Sequence, residues 1–207
     1  PDKQFIITTH DAIWYEQLCA HQRSYSLSND FKNVKITKWS LDNGPTIEKH
    51  KIKSKIIDEK IDAHEEKEAG NLIRQHLEYI LLDLAIRFEV KVRIKTTMRY
   101  DVGDLFDPVE NRFKKLLKDG NKRKTVIETA FQNLKQIYVM GNLLSHNNEI
   151  ADNISIHEVE RFWKTVKDLE TVLQCDNCQK PLGYLQEAQL IRCMNGKCKN
   201  PQEIPTR

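Results

Sequence analysis

The chain has few of the residues that make turns and few aromatic side chains. Its 207 residues include 7 glycines and 6 prolines, and aromatic residues make up 8%. Because an all-β protein needs many turns, this composition argues against a strand-rich fold and is typical of a helical protein. Long apolar runs are also missing: the longest, around Leu77–Ile86, is interrupted by Glu78 and Asp83. A bilayer span needs roughly 18 apolar residues and no secretory signal is recognisable, so no membrane partner is expected.

The chain also lacks a strong charge of one sign. It has 33 Lys and Arg residues against 30 Asp and Glu residues, which leaves a net charge of +3. This balance is too mild to indicate nucleic-acid binding by itself. One short segment is locally basic, and its members are Lys114, Lys115, Lys118, Lys122, Arg123 and Lys124. This basic segment predicts contacts with phosphates, and the alternative is a solvated helix end and loop.

Four of the five cysteines have the spacing of metal ligands. Cys175 and Cys178 enclose two residues, Cys193 and Cys198 enclose four, and fourteen residues separate the pairs. Each short spacing lets a tight turn direct two sulfurs at one ion, and four thiolates in a tetrahedron suit Zn²⁺. We therefore predict one closed, structural zinc site in a ribbon over residues 175–200, which needs the metal to fold. An iron–sulfur cluster is the chemical alternative.

The residues around these cysteines suggest further properties of the ribbon. The insert between the two pairs is predicted to form one small hairpin, and its exposed part, Pro181–Gln189, is a candidate surface for a protein partner. Reduced, metal-binding thiols favour the cytoplasm over an oxidising compartment. Cys19 lies far from the others in sequence and is interpreted as a helix residue.

The first 48 residues have mixed helix and strand patterns. Phe5–Thr9 is apolar and β-branched, which predicts a strand buried on both faces, and Ala12–His21 predicts a helix. Val34–Trp39 alternates apolar and polar residues, which predicts a half-buried strand. Asn43–Pro45 predicts a turn, with a further extended piece from Ile47. A buried strand at the very start favours a chain that continues a longer one.

From about residue 50 the apolar residues follow a helical period. A stripe at steps of three and four runs from Leu72 to Leu84, and Asp104 is predicted to cap a helix that extends to Leu117. Ser155-x2-Glu158 matches a capping box that opens a helix to about Gln174. The predicted fold is α+β, with a small α/β part at 1–48, a bundle of four or five helices at 50–174 and the ribbon at 175–200.

One segment near the start resembles a known family. Gln4–Asp11, with the sequence QFIITTHD, resembles the switch-histidine segment of ABC-type ATPases of the SMC, RecF and Rad50-like group. The resemblance implies that His10 senses the nucleotide γ-phosphate, with Asp11 beside it, and that ATPase lobes self-associate. No Gly-x4-Gly-Lys-Ser/Thr loop occurs in the 207 residues, so ATP and Mg²⁺ are expected only in a longer chain. Ala69–Arg74 and Tyr100–Leu105 resemble C-terminal regions of bacterial members.

A second segment resembles HEPN-like helical domains. Gly141–His146, with the sequence GNLLSH, is similar to their Arg-Asn-x3-His motif. In the active ribonucleases the arginine and the histidine cleave RNA without metal, which implies a role for His146. Here Gly141 stands at the arginine position, so the segment is either a degenerate RNA site or a structural helix end. The arginines that can replace it from other helices are Arg74, Arg99 and Arg112.

These resemblances lead to one expected function and two alternatives. The chain is expected to be the C-terminal part of an SMC/RecF-like ATPase that acts in DNA repair or anti-phage defence. Its helical domain and ribbon then dock a partner nuclease or another protein, or sense nucleic acid. The first alternative is a metal-independent HEPN-type RNase that uses His146. The second is an adaptor without enzymatic activity, in which the ribbon and the basic segment contact the phosphates of DNA or RNA.

Overall fold

The computed structural model describes residues 6–9, 18, 35–40, 44–48, 53–95, 100–145 and 153–206. The chain divides into two compact units, Pro1–Lys49 and His50–Arg207. The architecture is α+β, as the sequence predicts, because helices form most of the second unit and small antiparallel sheets complete both units.

The described part of the first unit contains one antiparallel hairpin. Strand β1 spans Lys35–Ser40 and strand β2 spans Gly44–Glu48, with Ile36 opposite Ile47 and Ser40 opposite Gly44. The extended segments predicted from Val34 and at Ile47 are therefore confirmed over these residues. Gly44 and Pro45 belong to β2, so the turn predicted at Asn43–Pro45 does not include them.

The buried strand predicted at Phe5–Thr9 is wrong for residues 6–9. These residues have no regular secondary structure, and Ile6 and Ile7 are 85% and 55% exposed. A strand is buried on both faces only where other strands pair with it, and no described strand pairs with this segment. Of the helix predicted from Ala12, only Leu18 is described, and it is helical.

The second unit is built on six described helices. They are α1 (Lys53–Asp62), α2 (Glu66–Arg87), α3 (Val102–Leu116), α4 (Lys122–Ile137), α5 (Val139–Ser145) and α6 (Ile156–Val172). Helix α2 lies at the centre and contacts α1, α3, α5 and α6, while α4 packs on α6. The stripe predicted from Leu72 to Leu84 supplies much of the core, since Ile73, Leu77 and Leu81 are fully buried. None of the described helices has the length and apolar composition that a bilayer span requires.

The helix caps agree with the sequence at α6 and differ at α3. At α6, the Ser155 N–H donates to Glu158 Oε2 at 2.8 Å, as the capping box predicts. Helix α3 begins three residues earlier than predicted: Asp101 is its N-cap, and its Oδ1 accepts from the Asp104 N–H at 3.0 Å. Asp104 is instead the third helical residue, because Val102 is buried within the first turn and extends the helix upstream.

The ribbon is a three-stranded antiparallel sheet. Its strands are β3 (Leu182–Leu185), β4 (Leu190–Cys193) and β5 (Glu203–Pro205), in the order β3-β4-β5. Strands β3 and β4 form the hairpin predicted between the cysteine pairs, whereas β5 was not predicted. The apolar side chains that the sheet buries are Leu182, Ile191 and Ile204.

Candidate metal centre

The ribbon brings together the four cysteines that the sequence singled out. The sulfurs of Cys175, Cys178, Cys193 and Cys198 all lie within 4.8 Å of one another. The sulfurs of Cys178 and Cys193 lie 3.4 Å apart. None of the four forms a disulfide, and Cys175 and Cys193 are buried.

The first cysteine pair lies in a turn that directly follows helix α6. The Gln179 N–H donates to the Cys175 carbonyl at 2.9 Å, and the Cys175 N–H donates to the Lys180 carbonyl at 2.8 Å. Gln179 closes this turn with a φ of 56°, in the left-handed region. These bonds fold residues 175–180 back on themselves, so both sulfurs of the pair point to one side.

The second pair lies between strands β4 and β5. The Cys198 N–H donates to the Asn195 carbonyl at 2.9 Å, and the Lys197 N–H donates to Asn195 Oδ1 at 3.1 Å. The two turns are tied together, because the Asn177 side-chain amide donates to the Asn200 carbonyl at 2.7 Å. Strand pairing and these bonds therefore fix all four sulfurs relative to one another.

The thiol pKa values show how closely the four groups interact. Burial raises the pKa of the Cys175 thiol, but backbone N–H donors outweigh this effect and lower that pKa to about 6. Burial, together with the neighbouring thiols of Cys178 and Cys175, raises the pKa of the Cys193 thiol to about 12. The buried sulfurs thus resist carrying several negative charges together, which is the charge that a bound cation neutralises.

The donor set fits a tetrahedral metal ion. Four sulfurs at about 2.3 Å from a central Zn²⁺ lie roughly 3.8 Å apart, which is within the separations found here. All four positions of such a tetrahedron are filled by protein thiolates, so no position remains for water or substrate. The arrangement can therefore hold a metal ion and stabilise the ribbon, and it offers that ion no route to catalysis.

Three arginines of the helical bundle hold the ribbon. The Arg87 guanidinium donates to the Leu182 carbonyl, and the guanidinium carbon of Arg112 lies 5.0 Å from the centre of the Tyr184 ring. Arg123 donates to the Gln174 carbonyl at 2.7 Å and to Asp176 Oδ1 at 2.8 Å. Sequence reasoning missed these contacts, because an arginine that binds a distant carbonyl has no local pattern.

The basic segment separates into residues with and without ion-pair partners. Arg123 binds Asp176, Lys114 pairs with Glu110 at 2.6 Å, and Lys124 pairs with Asp119. The remaining members are Lys115, Lys118 and Lys122. All three are exposed, and none forms an ion pair within the parts of the chain that the structure describes. Three of the six members of the basic segment therefore form ion pairs within the chain.

Residues 141–145 of the segment with the HEPN-like pattern lie on α5, which packs against α2. Gly141 is buried, and a Cβ atom at this position would lie 3.1 Å from both Arg74 Cβ and Phe162 Cε1. An arginine at position 141 does not fit this space. Arg74 is adjacent, but it already pairs with Glu78 at 2.6 Å. Phe162, Trp163 and Val166 of α6 are buried in the core, as expected for packing residues.

The other residues with predicted roles have different outcomes. His10, Asp11, His146 and Arg99 lie outside the described residues. Arg112 does not face α5, because its Nε donates to the Phe88 carbonyl at 2.8 Å and its plane covers Tyr184. Of the predicted sites, the described structure therefore assembles only the four cysteines.

Comparison with known proteins adds no relative. No protein-family model matches the chain. No curated protein and no solved structure matches it either. The arguments on function therefore depend on the chain's own residues and geometry.

Proposed function

We propose that residues 53–206 form a zinc-stabilised binding module without catalytic activity of its own. We further propose that it is the C-terminal part of an SMC/RecF-like ATPase that acts in DNA repair or anti-phage defence. In this proposal the module docks a partner nuclease or senses nucleic acid, and nucleotide chemistry needs residues beyond this chain.

The observation that supports this function best is the closed set of four thiols on a ribbon that the bundle holds. A catalytic zinc site has three protein ligands and one open position, whereas this site offers four thiolates. The ribbon buries few apolar side chains, so metal binding is its main source of folding free energy. A rigid ribbon at the end of α6 presents turn residues on a fixed frame, which is what a docking surface requires.

Metal analysis tests the first part of the proposal. The chain, purified without added metal, is expected to contain one zinc ion per molecule by mass spectrometry of the digested protein. Exchange of Cys175 and Cys193 for serine should abolish zinc binding, and exchange of Cys19 is the matched control that should leave it unchanged. Iron in place of zinc, or substoichiometric metal that does not depend on these cysteines, would contradict the proposal.

The coding sequence upstream of Pro1 tests the second part. We expect a Gly-x4-Gly-Lys-Ser/Thr loop there, since His10 can sense a γ-phosphate only beside such a loop. The longer protein should hydrolyse ATP, and His10→Ala should lower the turnover number more than the Michaelis constant. An upstream sequence without this loop would overturn the SMC/RecF-like assignment and leave the binding module unaffected.

A metal-independent RNase that uses His146 is the second candidate. The observation that favours it is the position of Arg74, whose Cβ lies against the backbone of Gly141. Arg74 on α2 therefore lies close to position 141, where the HEPN-like motif has its arginine. Its pairing with Glu78 opposes this role, because that carboxylate competes with a phosphate for the guanidinium.

RNA cleavage by the zinc-loaded chain separates the two candidates. The assay omits free divalent ions and chelators, so the ribbon keeps its metal while metal-dependent contaminants are inactive. Cleavage that His146→Ala abolishes and Arg74→Lys weakens would support the RNase. We expect no cleavage above that of the His146→Ala variant.

A further inference from the structure

Three exposed lysines lie close in sequence to the cysteines of the ribbon. Lys180 follows Cys178 by two residues, and Lys197 and Lys199 flank Cys198. Since the sulfurs of Cys178 and Cys198 lie within 4.8 Å, the backbones of these three lysines lie within a span on the order of 20 Å. All three are exposed, and none has an ion-pair partner in the described parts of the chain.

The start of helix α4 lies against the same end. Arg123 donates to Asp176 Oδ1 at 2.8 Å, and Asp176 lies between the first two cysteines. Asp176 in turn accepts from the Gln202 side-chain amide at 2.8 Å, and Asn177 donates to the Asn200 carbonyl at 2.7 Å. Lys122 is exposed and directly precedes Arg123, so we group it with the ribbon lysines. We call Lys122, Lys180, Lys197 and Lys199 the knuckle-end lysines.

Lys122 occupies a position that is unfavourable for a cation. Helix α4 begins with Lys122, Arg123 and Lys124 and has no acidic residue in its first turn. A helix N-terminus carries a partial positive charge, so cations there lower helix stability. Arg123 and Lys124 have carboxylate partners, whereas Lys122 has none among the described residues. A local conflict of this kind is typical of a functional surface, and an external anion would relieve it.

We propose that the knuckle-end lysines bind the phosphodiester backbone of a nucleic acid, without reading its bases. This inference rests on the nucleic-acid sensing in the proposed function and names the surface and the part of the ligand that it binds. Zinc content, measured separately, distinguishes its failure from a failure of the zinc module. The adjacent exposed residues Asn177 and Gly196 supply polar groups and room for a backbone, and no exposed aromatic platform for base stacking lies in these turns. Affinity should therefore come mainly from charge.

Counterion release gives the expected salt dependence of the binding constant. Four phosphate contacts predict a slope of log K against log salt concentration of about −3.6 on duplex DNA and about −2.8 on a single strand. Between 50 and 200 mM salt, the affinity for duplex DNA should then fall about 150-fold. Each lysine that is removed should reduce the slope by about 0.9 on duplex DNA.

The test measures binding of the zinc-loaded full chain to labelled 20-base-pair DNA and 20-nucleotide RNA by fluorescence anisotropy across this salt range. The main variant carries glutamine at all four knuckle-end lysines. The control variant makes the same charge change at four other exposed cations, namely Lys55, Lys67, Arg161 and Lys164. Zinc content and the helical circular dichroism signal are measured for each protein. We expect the main variant to lose nearly all salt-dependent binding and to keep its zinc, and the control to bind within about threefold of the parent chain.

Several results would overturn the proposal. Binding that is absent in the parent chain, or lost equally in the control variant, would exclude a site at the knuckle end. A main variant that loses zinc but still binds would show that the lysines only offset the thiolate charge. Poly-glutamate that binds as tightly as DNA and RNA would assign the surface to an acidic protein. If the main variant does not fold, the single variant Lys122→Gln tests the proposal, since position 122 lies outside the ribbon. This variant should reduce the slope of log K against log salt concentration on duplex DNA by about 0.9, and an unchanged slope would overturn the proposal.

Discussion

Removal of the metal should destabilise the helical bundle as well as the ribbon. The ribbon is held by Arg87, Arg112 and Arg123, and these contacts need a folded ribbon. A hydrogen bond from a charged group to a buried carbonyl contributes about 1.5 kcal/mol, and there are two such bonds. The exposed Arg123–Asp176 pair and the Arg112–Tyr184 contact each contribute about 0.5 kcal/mol. The bundle should therefore lose about 4 kcal/mol.

Urea unfolding, followed through the helical circular dichroism signal, measures this loss. With a slope of roughly 2 kcal/mol per molar urea, the midpoint of the metal-free chain should lie about 2 M below that of the zinc-loaded chain. The sulfurs of the metal-free protein should also become reactive toward a thiol reagent before the helices unfold. A helical midpoint that does not change on metal removal would refute the reasoning, because ribbon and bundle would then unfold independently.

Arg123→Ala gives a thermodynamic cycle that checks the same coupling. In the zinc-loaded chain the substitution should cost about 2 kcal/mol, since it removes both the Gln174 and the Asp176 contacts. In the metal-free chain it should cost less, because the unfolded ribbon no longer places Asp176 and no longer pairs Gln174 with Pro181. Equal costs in the two forms would show that Arg123 acts within α4 only.

Three further substitutions test the packing and the turns. Gly70→Ala should destabilise the bundle by about 1–3 kcal/mol although alanine favours helices, because its Cβ would lie 2.2 Å from Leu144 Cδ1. Thermal unfolding measures this loss, and the same substitution should cost less in a Leu144→Ala background. Asp58→Ala should lower the free energy of unfolding by about 1–3 kcal/mol, as measured in urea. The buried indole N–H of Trp163 donates to Asp58 Oδ1 at 2.7 Å, and the variant would leave this N–H without an acceptor. Gln179→Gly should stabilise the zinc-loaded ribbon by about 0.5–1 kcal/mol, because the φ of 56° is strained for glutamine. Competition with a zinc-binding dye should then show tighter zinc binding by the variant, and weaker binding would contradict this prediction.

The sequence predicted the features that depend on local spacing. The stripe from Leu72 to Leu84 is buried as its period indicates, because side chains three and four residues apart share a helix face in any fold. The Ser155–Glu158 capping box also forms where it was predicted. The convergence within each cysteine pair followed from its short spacing, since a tight turn brings paired sulfurs to one side, and the β3–β4 hairpin then brings the two pairs together.

The sequence was less informative where the outcome depended on neighbours. Phe5–Thr9 has the composition of a buried strand, yet Ile6 and Ile7 are exposed, because composition does not supply the strands that cover a segment. Helix α3 begins at Val102 because the core has room for that side chain, which no local pattern records. Strand β5 has a single buried residue, Ile204, and forms because β4 offers a free edge beside it.

The sequence by itself thus determined the helical bundle, the hairpin and the set of candidate metal ligands, all of which follow from local patterns in the chain. Tertiary structure alone decided which charges have partners. In one basic run, Arg123 holds the ribbon while its neighbour Lys122 is exposed beside the cysteine turns. The physical reason is that an ion pair or a hydrogen bond depends on the distance between atoms, and contacts between residues as far apart as Arg123 and Asp176 arise only when the chain has folded.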